Sequence, residues 1–334
     1  MTTGATGQCN VGILGIGSCV PEKVLSNQEI QEIVDTTDEW IVQRTGIRER
    51  RILSGDESIL TLAGNAAKAA MENAGIGAEQ IGLIVVVTAT PDYYSPAIAS
   101  RLQNIVGIQN CAAFDLNAAC TGFVYGLTIA ESYVKTGGCS YALVVATEGL
   151  TRFVDWKDRA TCILFGDGAG AAVIGKVGEG DGILARMLCS DGEGAGLITI
   201  PGREITAEDM EHRGGEKKQT IWMDGGKVLK FASRVMTSSI EKVLEMAGLD
   251  MSDIALIIPH QANIRIIESA IKRFNLDPDK VFVNVQRYGN TSSASIPIAL
   301  VEAVQKDRIK KGDYIIVVAF GAGLTYGASL IRWI

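Results

Sequence analysis

Histidine is nearly missing from this chain of 334 residues, which holds only His212 and His260. A mechanism that needs two imidazoles in one site is therefore almost excluded by count. His212 falls in PGREITAEDMEHRGGEKKQ (201–219), a polar and unpatterned run that reads as a surface excursion, so it is read as a solvated loop histidine. Paired cysteines are missing too. The seven present (9, 19, 111, 120, 139, 162 and 189) are odd in number, form no CxxC and mostly lie in apolar strand-like runs. They argue for reduced thiols and against a disulfide framework or a structural zinc site. No apolar run approaches the roughly 18–20 residues that cross a bilayer, and the opening MTTGATGQCN lacks the basic and apolar regions of a signal peptide. We expect a cytoplasmic protein with no membrane partner. Positive charge is in deficit, with a net charge of −7, which argues against general nucleic-acid binding and leaves any anionic partner to a local basic patch. What is present, 47% hydrophobic and 21% charged residues, suits a compact chain of two domains or one large layered one.

The stretch FDLNAACTGF (114–123) reads as a buried strand end, a small-residue turn and the first turn of a helix running to about Lys135. A cysteine there has unpaired backbone N–H groups and the positive end of a helix dipole beside it, which favour the thiolate. The small flanking residues would let an electrophile reach the Cys120 sulfur while its carbonyl oxygen meets an amide donor. A small buried hydrophobe fits the same stretch. Near the start, Gly15-x-Gly17 in NVGILGIGSCV invites a dinucleotide-fold reading, but the third glycine of that pattern would fall on Val20, so the signal is weak. Ser26 with Glu29, and Thr37 with Asp38, are helix-start signals; the second helix carries Trp40 and Arg44.

Compared with itself at an offset of 173 residues, the chain repeats. MENAGIGAEQIGLI (71–84) falls on LEMAGLDMSDIALI (244–257) and YALVVA (141–146) on YIIVVA (314–319), without a gap, over 60–146 against 233–319. Asn117 falls on Asn290, and Ser293 lies under Cys120. This predicts a duplicated α/β unit, with the boundary in the glycine-rich KVGEGDG and the halves at 1–178 and 179–334. His260 then ends the apolar strand IALIIPH at a carboxyl edge, where open α/β sheets place ligands, and Asn290 follows the predicted strand VFVNV (281–285). Alone, His260 reads equally as a strand-end residue bonded to backbone and Asn290 as a turn residue. Together with Cys120 they form a nucleophile, an imidazole and a carboxamide at corresponding edges of two halves.

AACTGF around Cys120, PHQAN with His260, YGNTSSAS with Asn290, GILGIGSCVPEKVLSN, DEWIVQRTGIRERR and FGAGLTYG together resemble the β-ketoacyl-acyl-carrier-protein synthase III family of the thiolase superfamily. Its Cys-His-Asn set differs from the Cys-His-His of elongating condensing enzymes and from thiolases, which carry a second cysteine. The resemblance implies a thiolase-like fold of two pseudo-symmetric halves in five α-β-α-β-α layers. It implies the initiating condensing enzyme of type II fatty-acid synthesis: Cys120 takes an acyl group from acyl-CoA, and His260 with Asn290 assist decarboxylative condensation with malonyl-acyl carrier protein. It also implies an oxyanion hole from Cys120 and the loop Gly321–Gly323, a homodimer with Cys111–Asp115 at its interface, and neither metal nor redox cofactor. Related condensing enzymes of secondary metabolism, synthases of the hydroxymethylglutaryl-CoA type and a non-catalytic carrier-binding paralogue are the alternatives.

The same resemblance assigns Trp40, Arg44, Thr45, Arg159 and Asn263 to coenzyme A, and Arg265, Lys272, Arg273 and Lys230 to the acidic carrier protein. It puts Ser95 and Phe165 at the acyl pocket. Ser95 stands where short-chain members place a phenylalanine that reaches across the dimer, which implies a roomier pocket, open to longer or branched primers. Thr121, after the nucleophile, departs from the commoner alanine or serine, and little consequence is expected.

Overall fold

The computed structural model describes residues 10–202 and 219–334; Cys9 and His212 lie outside them. Two sheets carry the fold. The first contains β1 (Asn10–Cys19), β2 (Ile81–Val87), β3 (Ala112–Leu116), β4 (Tyr141–Gly149) and β5 (Asp167–Val177), in the order β1-β5-β4-β2-β3. The second contains β6 (Gly182–Ser190), β7 (Ile254–Pro259), β8 (Tyr314–Gly321) and β9 (Thr325–Arg332), in the order β7-β8-β9-β6. In the first, β2 pairs parallel with β3 and β4, while β4–β5 and β5–β1 are antiparallel. The second repeats this: β7–β8 is parallel, and β8–β9 and β9–β6 are antiparallel.

The apolar runs explain the layers. In IGLIVVV, Leu83, Val85 and Val87 face one buried cluster while Ile84 and Val86 face another, so every apolar side chain from Leu83 onward is buried. The outer cluster is closed by α1 (Ile59–Ala74) and α2 (Ile98–Val106). The inner one is shared with α3 (Gly122–Lys135) and with the second sheet through Leu256, Ile258 and Val317. On the far face of the second sheet, α4 (Gly225–Ala247) and α5 (Ile264–Phe274) cover Ile257, Ile316 and Val318. The helix α6 (Ser295–Gln305) completes the middle layer through Ile296 and Leu300. The result is the five-layered α-β-α-β-α arrangement of a thiolase-like fold.

At its ends the 173-residue offset is kept. Helices α1 and α4 both stop at left-handed glycines, Gly75 and Gly248 (φ 65° and 66°), each followed by a short 3-10 turn and then a parallel strand. Between them the ungapped register fails. Ile84 pairs with Ala113, but its counterpart Ile257 bridges Val281, five residues before the offset's position, and the register recovers only through the extra turn Val285–Tyr288. Two compensating length differences had looked like none. The predicted strand 281–285 is accordingly a single bridge at Val281, and β3 is a half-exposed edge strand where a buried one was expected. Gly15 and Gly17 have a packing role: a Cβ on either would lie 2.4 Å from backbone atoms of α1, so the glycines let β1 press on that helix.

Candidate active site

The turn Ala119–Thr121 and the turn Ser292–Ala294 occupy the same repeat position and share an uncommon backbone. Ala119 (φ 45°) and Ser292 (φ 49°) are both left-handed, and Asn117 Oδ1 and Asn290 Oδ1 accept the amides of Ala119 (3.1 Å) and Ser292 (2.8 Å). Non-glycine residues in this conformation cluster at functional sites. Each turn feeds a middle-layer helix, α3 or α6, so the two helix starts meet between the sheets.

The first turn presents Cys120. The residue is half-buried on a cavity wall, and burial pushes the thiol up to about 12; Glu148 adds to the rise, while Ser292 opposes it. This corrects the expectation from the helix end. Burial opposes the ionisation that a helix end favours, and it holds the group toward the neutral thiol. Gly321, at the end of β8, passes so close that a Cβ would stand 2.7 Å from the Cys120 nitrogen. Gly323 (φ 131°) lies on the β8–β9 turn. Thr121 is fully buried and its hydroxyl accepts from Thr325 at 2.9 Å, which ties the turn to the start of β9.

His260 directly follows β7, with its amide donating to Val318 O at 2.8 Å and its ring edge-on to Phe320 at 5.3 Å. Burial pulls it down to about 3, so the imidazole is neutral. Its Nδ1 lies 2.7 Å from Ser295 Oγ, which also accepts the Gln261 amide at 3.3 Å. Buried Gln261 clamps the chain below: its Nε2 donates to Pro259 and Phe282 carbonyls, and its Oε1 accepts from the amides of Asn284 and Val285. Asn290 is held on both backbone sides, its N–H donating to Leu164 O (2.8 Å) and its C=O accepting from Gly166 N–H (3.0 Å). With Oδ1 taken by Ser292, the carboxamide nitrogen is the end left to face a ligand.

Cys120, His260 and Asn290 line one cavity of about 90 Å³, with Phe165, Asn263, Ile266, Phe320 and Gly321. A second, of about 140 Å³, also reaches Cys120 and lies between Phe165, Leu150, Ile198, Ile200, Ile221 and Ala322. Ile198 and Met223 lie on two short paired strands and Ile200 and Ile221 directly beside them, on either side of the charged stretch 201–219 that the sequence reads as a loop. The apolar ITI and IW on its two sides were the available signal. Ser95 is exposed and lines neither cavity of its own chain. Glu148 was also missed: it is fully buried and takes hydrogen bonds from Thr90, Ala89, Ser292 and Ser293.

Family models for 3-oxoacyl-[acyl-carrier-protein] synthase III match residues 114–192 and, for its C-terminal part, 244–333. The β-ketoacyl-[acyl-carrier-protein] synthase III of Caldanaerobacter subterraneus subsp. tengcongensis is 50% identical over 325 residues, covering 96% of this chain and 97% of the relative. The chain belongs to the β-ketoacyl-acyl-carrier-protein synthase III family. Synthase III structures from Thermus thermophilus and Aquifex aeolicus superpose with TM-scores of 0.91 and 0.90, at 44% and 42% identity, over 96% and 97% of this chain and 99% and 100% of theirs. As a synthase III, the protein is an acyltransferase, the condensing enzyme that initiates fatty-acid synthesis.

The residues that the synthase III resemblance assigned to coenzyme A divide. Trp40, on the helix Asp38–Thr45, has the Arg159 guanidinium 4.8 Å and that of Arg44 5.6 Å from its ring centroid. Asn263 caps α5 and lines the first cavity. Thr45 is turned inward: buried, its hydroxyl donates to Ile41 O and accepts from Ile47 N–H, so it does not face a ligand. The basic residues fall into two places. Lys230, on the second turn of α4, and Arg265, on the first turn of α5, are exposed beside the cavity-lining Leu229 and Ile266. Lys272 and Arg273 end α5, about 10–12 Å further along its axis, where Arg273 reaches Glu241 at 4.0 Å. Among the described residues, no cluster of His, Cys, Asp and Glu could hold a metal ion, and no helix is long and apolar enough to cross a membrane.

Proposed function

We propose that Cys120 attacks the thioester of an acyl-CoA, expels coenzyme A and holds the acyl group, and that malonyl-acyl carrier protein then loses CO2 under His260 and Asn290 to condense with it. The observation that carries this reading is that Cys120, His260 and Asn290 line one cavity from the two sheets' corresponding edges. With the Ser295 hydroxyl as donor to His260 Nδ1, 2.7 Å away, the ring proton sits on Nε2. A neutral imidazole N–H and the Asn290 amide are then two donors for the malonyl thioester oxygen as it becomes an enolate, each worth on the order of 3 kcal/mol. The Cys120 amide, with one from Gly321–Gly323, serves the acyl oxyanion. No step calls for a metal or redox cofactor.

Trp40, Arg44 and Arg159 receive the nucleotide of coenzyme A, and Asn263 its pantetheine arm at the cavity. Lys230 and Arg265 dock the acidic carrier protein at the mouth, with Lys272 and Arg273 as an outer extension. The halves are taken as 1–178 and 179–334, and the enzyme as a cytoplasmic homodimer joined along the edge strand β3. In that dimer Ser95 closes the partner's acyl cavity, which admits longer or branched primers. The test is to incubate the pure protein with straight and branched acyl-CoAs, without malonyl donor, and to measure intact mass beside Cys120→Ala. A gain of one acyl group, absent in the variant, is expected. No gain in a folded protein overturns the reading.

A further inference from the structure

Glu148 ends β4 with no exposed surface, yet five groups converge on its carboxylate: the hydroxyls of Thr88 (3.3 Å), Thr90 (2.7 Å), Ser292 (3.1 Å) and Ser293 (2.7 Å), and the amide of Ala89 (3.1 Å). Every one of them donates, as an ionised carboxylate requires. Ser292 donates to Glu148 Oε1 and stands beside Cys120 on the wall of the second cavity. The two repeat-related turns therefore meet as a line of three groups, thiol, hydroxyl and carboxylate, behind the cavity. Of the other charged or titratable groups near this line, His260 faces Cys120 across the first cavity. Arg152 donates to Thr90 O at 2.9 Å and pairs with Asp92, to which Arg101 also lies close. No cation bonds Glu148 among the described residues. Burial raises the proton affinity of Glu148 and lowers that of His260, which leaves the carboxylate the better acceptor of the two.

We propose that Glu148, acting through the Ser292 hydroxyl, takes the Cys120 proton when the enzyme is acylated and returns it when the product leaves. This rests on Cys120 being the nucleophile. In the first half-reaction the S–H bond breaks as its proton moves to Ser292 Oγ, and the Ser292 proton moves to Glu148 Oε1. The sulfur forms a bond to the acyl carbon, the carbon–sulfur bond to coenzyme A breaks, and the departing thiolate takes a proton from solvent. In the second, the enolate carbon left by CO2 attacks the acyl-cysteine, and the released Cys120 thiolate recovers its proton from Glu148 through Ser292. One solvent proton is consumed per cycle, matching the carboxylate lost as CO2. Glu148 is thus a positioning residue and proton store, and Ser292 is the group that touches the reacting sulfur.

The experiment is iodoacetamide alkylation of Cys120, followed by peptide mass spectrometry from about pH 5 to 10, in the wild type, Glu148→Gln and Glu148→Asp. Loss of the acceptor, or its withdrawal from Ser292, is expected to slow alkylation at neutral pH by roughly tenfold or more. A spectator charge gives the opposite sign, because neutralising Glu148 would ease ionisation of the thiol. Alkylation in Glu148→Gln that is unchanged or faster overturns the proposal; if that variant does not fold, an unchanged or faster rate in Glu148→Asp does so. The alkylation needs no acyl-CoA. A wild type that alkylates as expected but never gains an acyl group defeats the proposed function alone, and one that loads acyl groups while its variants alkylate at full rate defeats the proton store alone.

Discussion

The turn after Asn117 and the turn after Asn290 follow the same course, with a left-handed small residue held by an asparagine side chain ahead of a helix. They differ in what the next residue faces. Cys120 looks into two cavities, whereas Ser293 has no exposed surface and donates to Glu148. Asn117 lines only the second of those cavities, while Asn290 joins His260 at the first. Duplication supplied the backbone twice, and the surroundings decided which copy reacts and which one supports it.

The sharpest way to break this comparison is to move the nucleophile. Cys120→Ala is expected to abolish acyl loading and to lower turnover more than about 10³-fold, and adding Ser293→Cys to it is expected to restore neither. An acyl group found by intact mass on that double variant would show the two turns to be interchangeable. Next in size, Asn290→Ala is expected to slow condensation by roughly 10²-fold or more while acyl loading persists. Asn117→Ala removes the equivalent turn bond and is expected to cost about 1 kcal/mol of stability in denaturant unfolding, with little change in condensation. Equal kinetic losses in the two variants would mean that both asparagines serve only their turns.

Two smaller effects sharpen the picture at its edges. Trp40→Ala removes the ring under Arg44 and Arg159 and is expected to raise the KM for acyl-CoA about tenfold in steady-state assays, with kcat nearly kept. His260 gives a pH signature. Its folded value is about 3 against an unfolded 6.5, so above pH 6.5 both states are neutral. As the pH falls below 6.5 toward about 3, the unfolded chain binds a proton that the folded chain refuses, and stability declines. His260→Gln is expected to lose less Tm than the wild type between about pH 7 and 4.5, by a few degrees in calorimetry. A parallel loss in both would mean that the folded state takes the proton after all.

The duplicated α/β unit and the meeting of Cys120, His260 and Asn290 were legible because the repeat is carried by apolar runs and glycine caps, whose periodicity survives divergence. The five-residue slip around Val281 was not, since two opposite length changes cancel in an ungapped comparison. Reading Cys120 as a thiolate weighed the helix end but could not weigh burial, which depends on the second sheet closing over it. Thr45 looked available because exposure is invisible in a sequence; its hydroxyl is used within its own turn. Glu148 ends an apolar strand in VVATEG, where a lone acid reads as the point at which the chain meets water, and only the folded molecule shows donors around it.

Much of the apolar wall of the two cavities belongs to neither repeat. Ile198, Ile200, Ile221 and Met223 hang on a two-stranded clasp outside both sheets, whereas Cys120, His260 and Asn290 sit at the edges of the duplicated frame. The reactive groups and much of the chamber's apolar lining are therefore inherited on separate pieces of chain. Mutational drift in the clasp can resize the chamber and alter which primers are accepted without disturbing the catalytic geometry, so descendants of one ancestor can diverge in diet while keeping the same reaction.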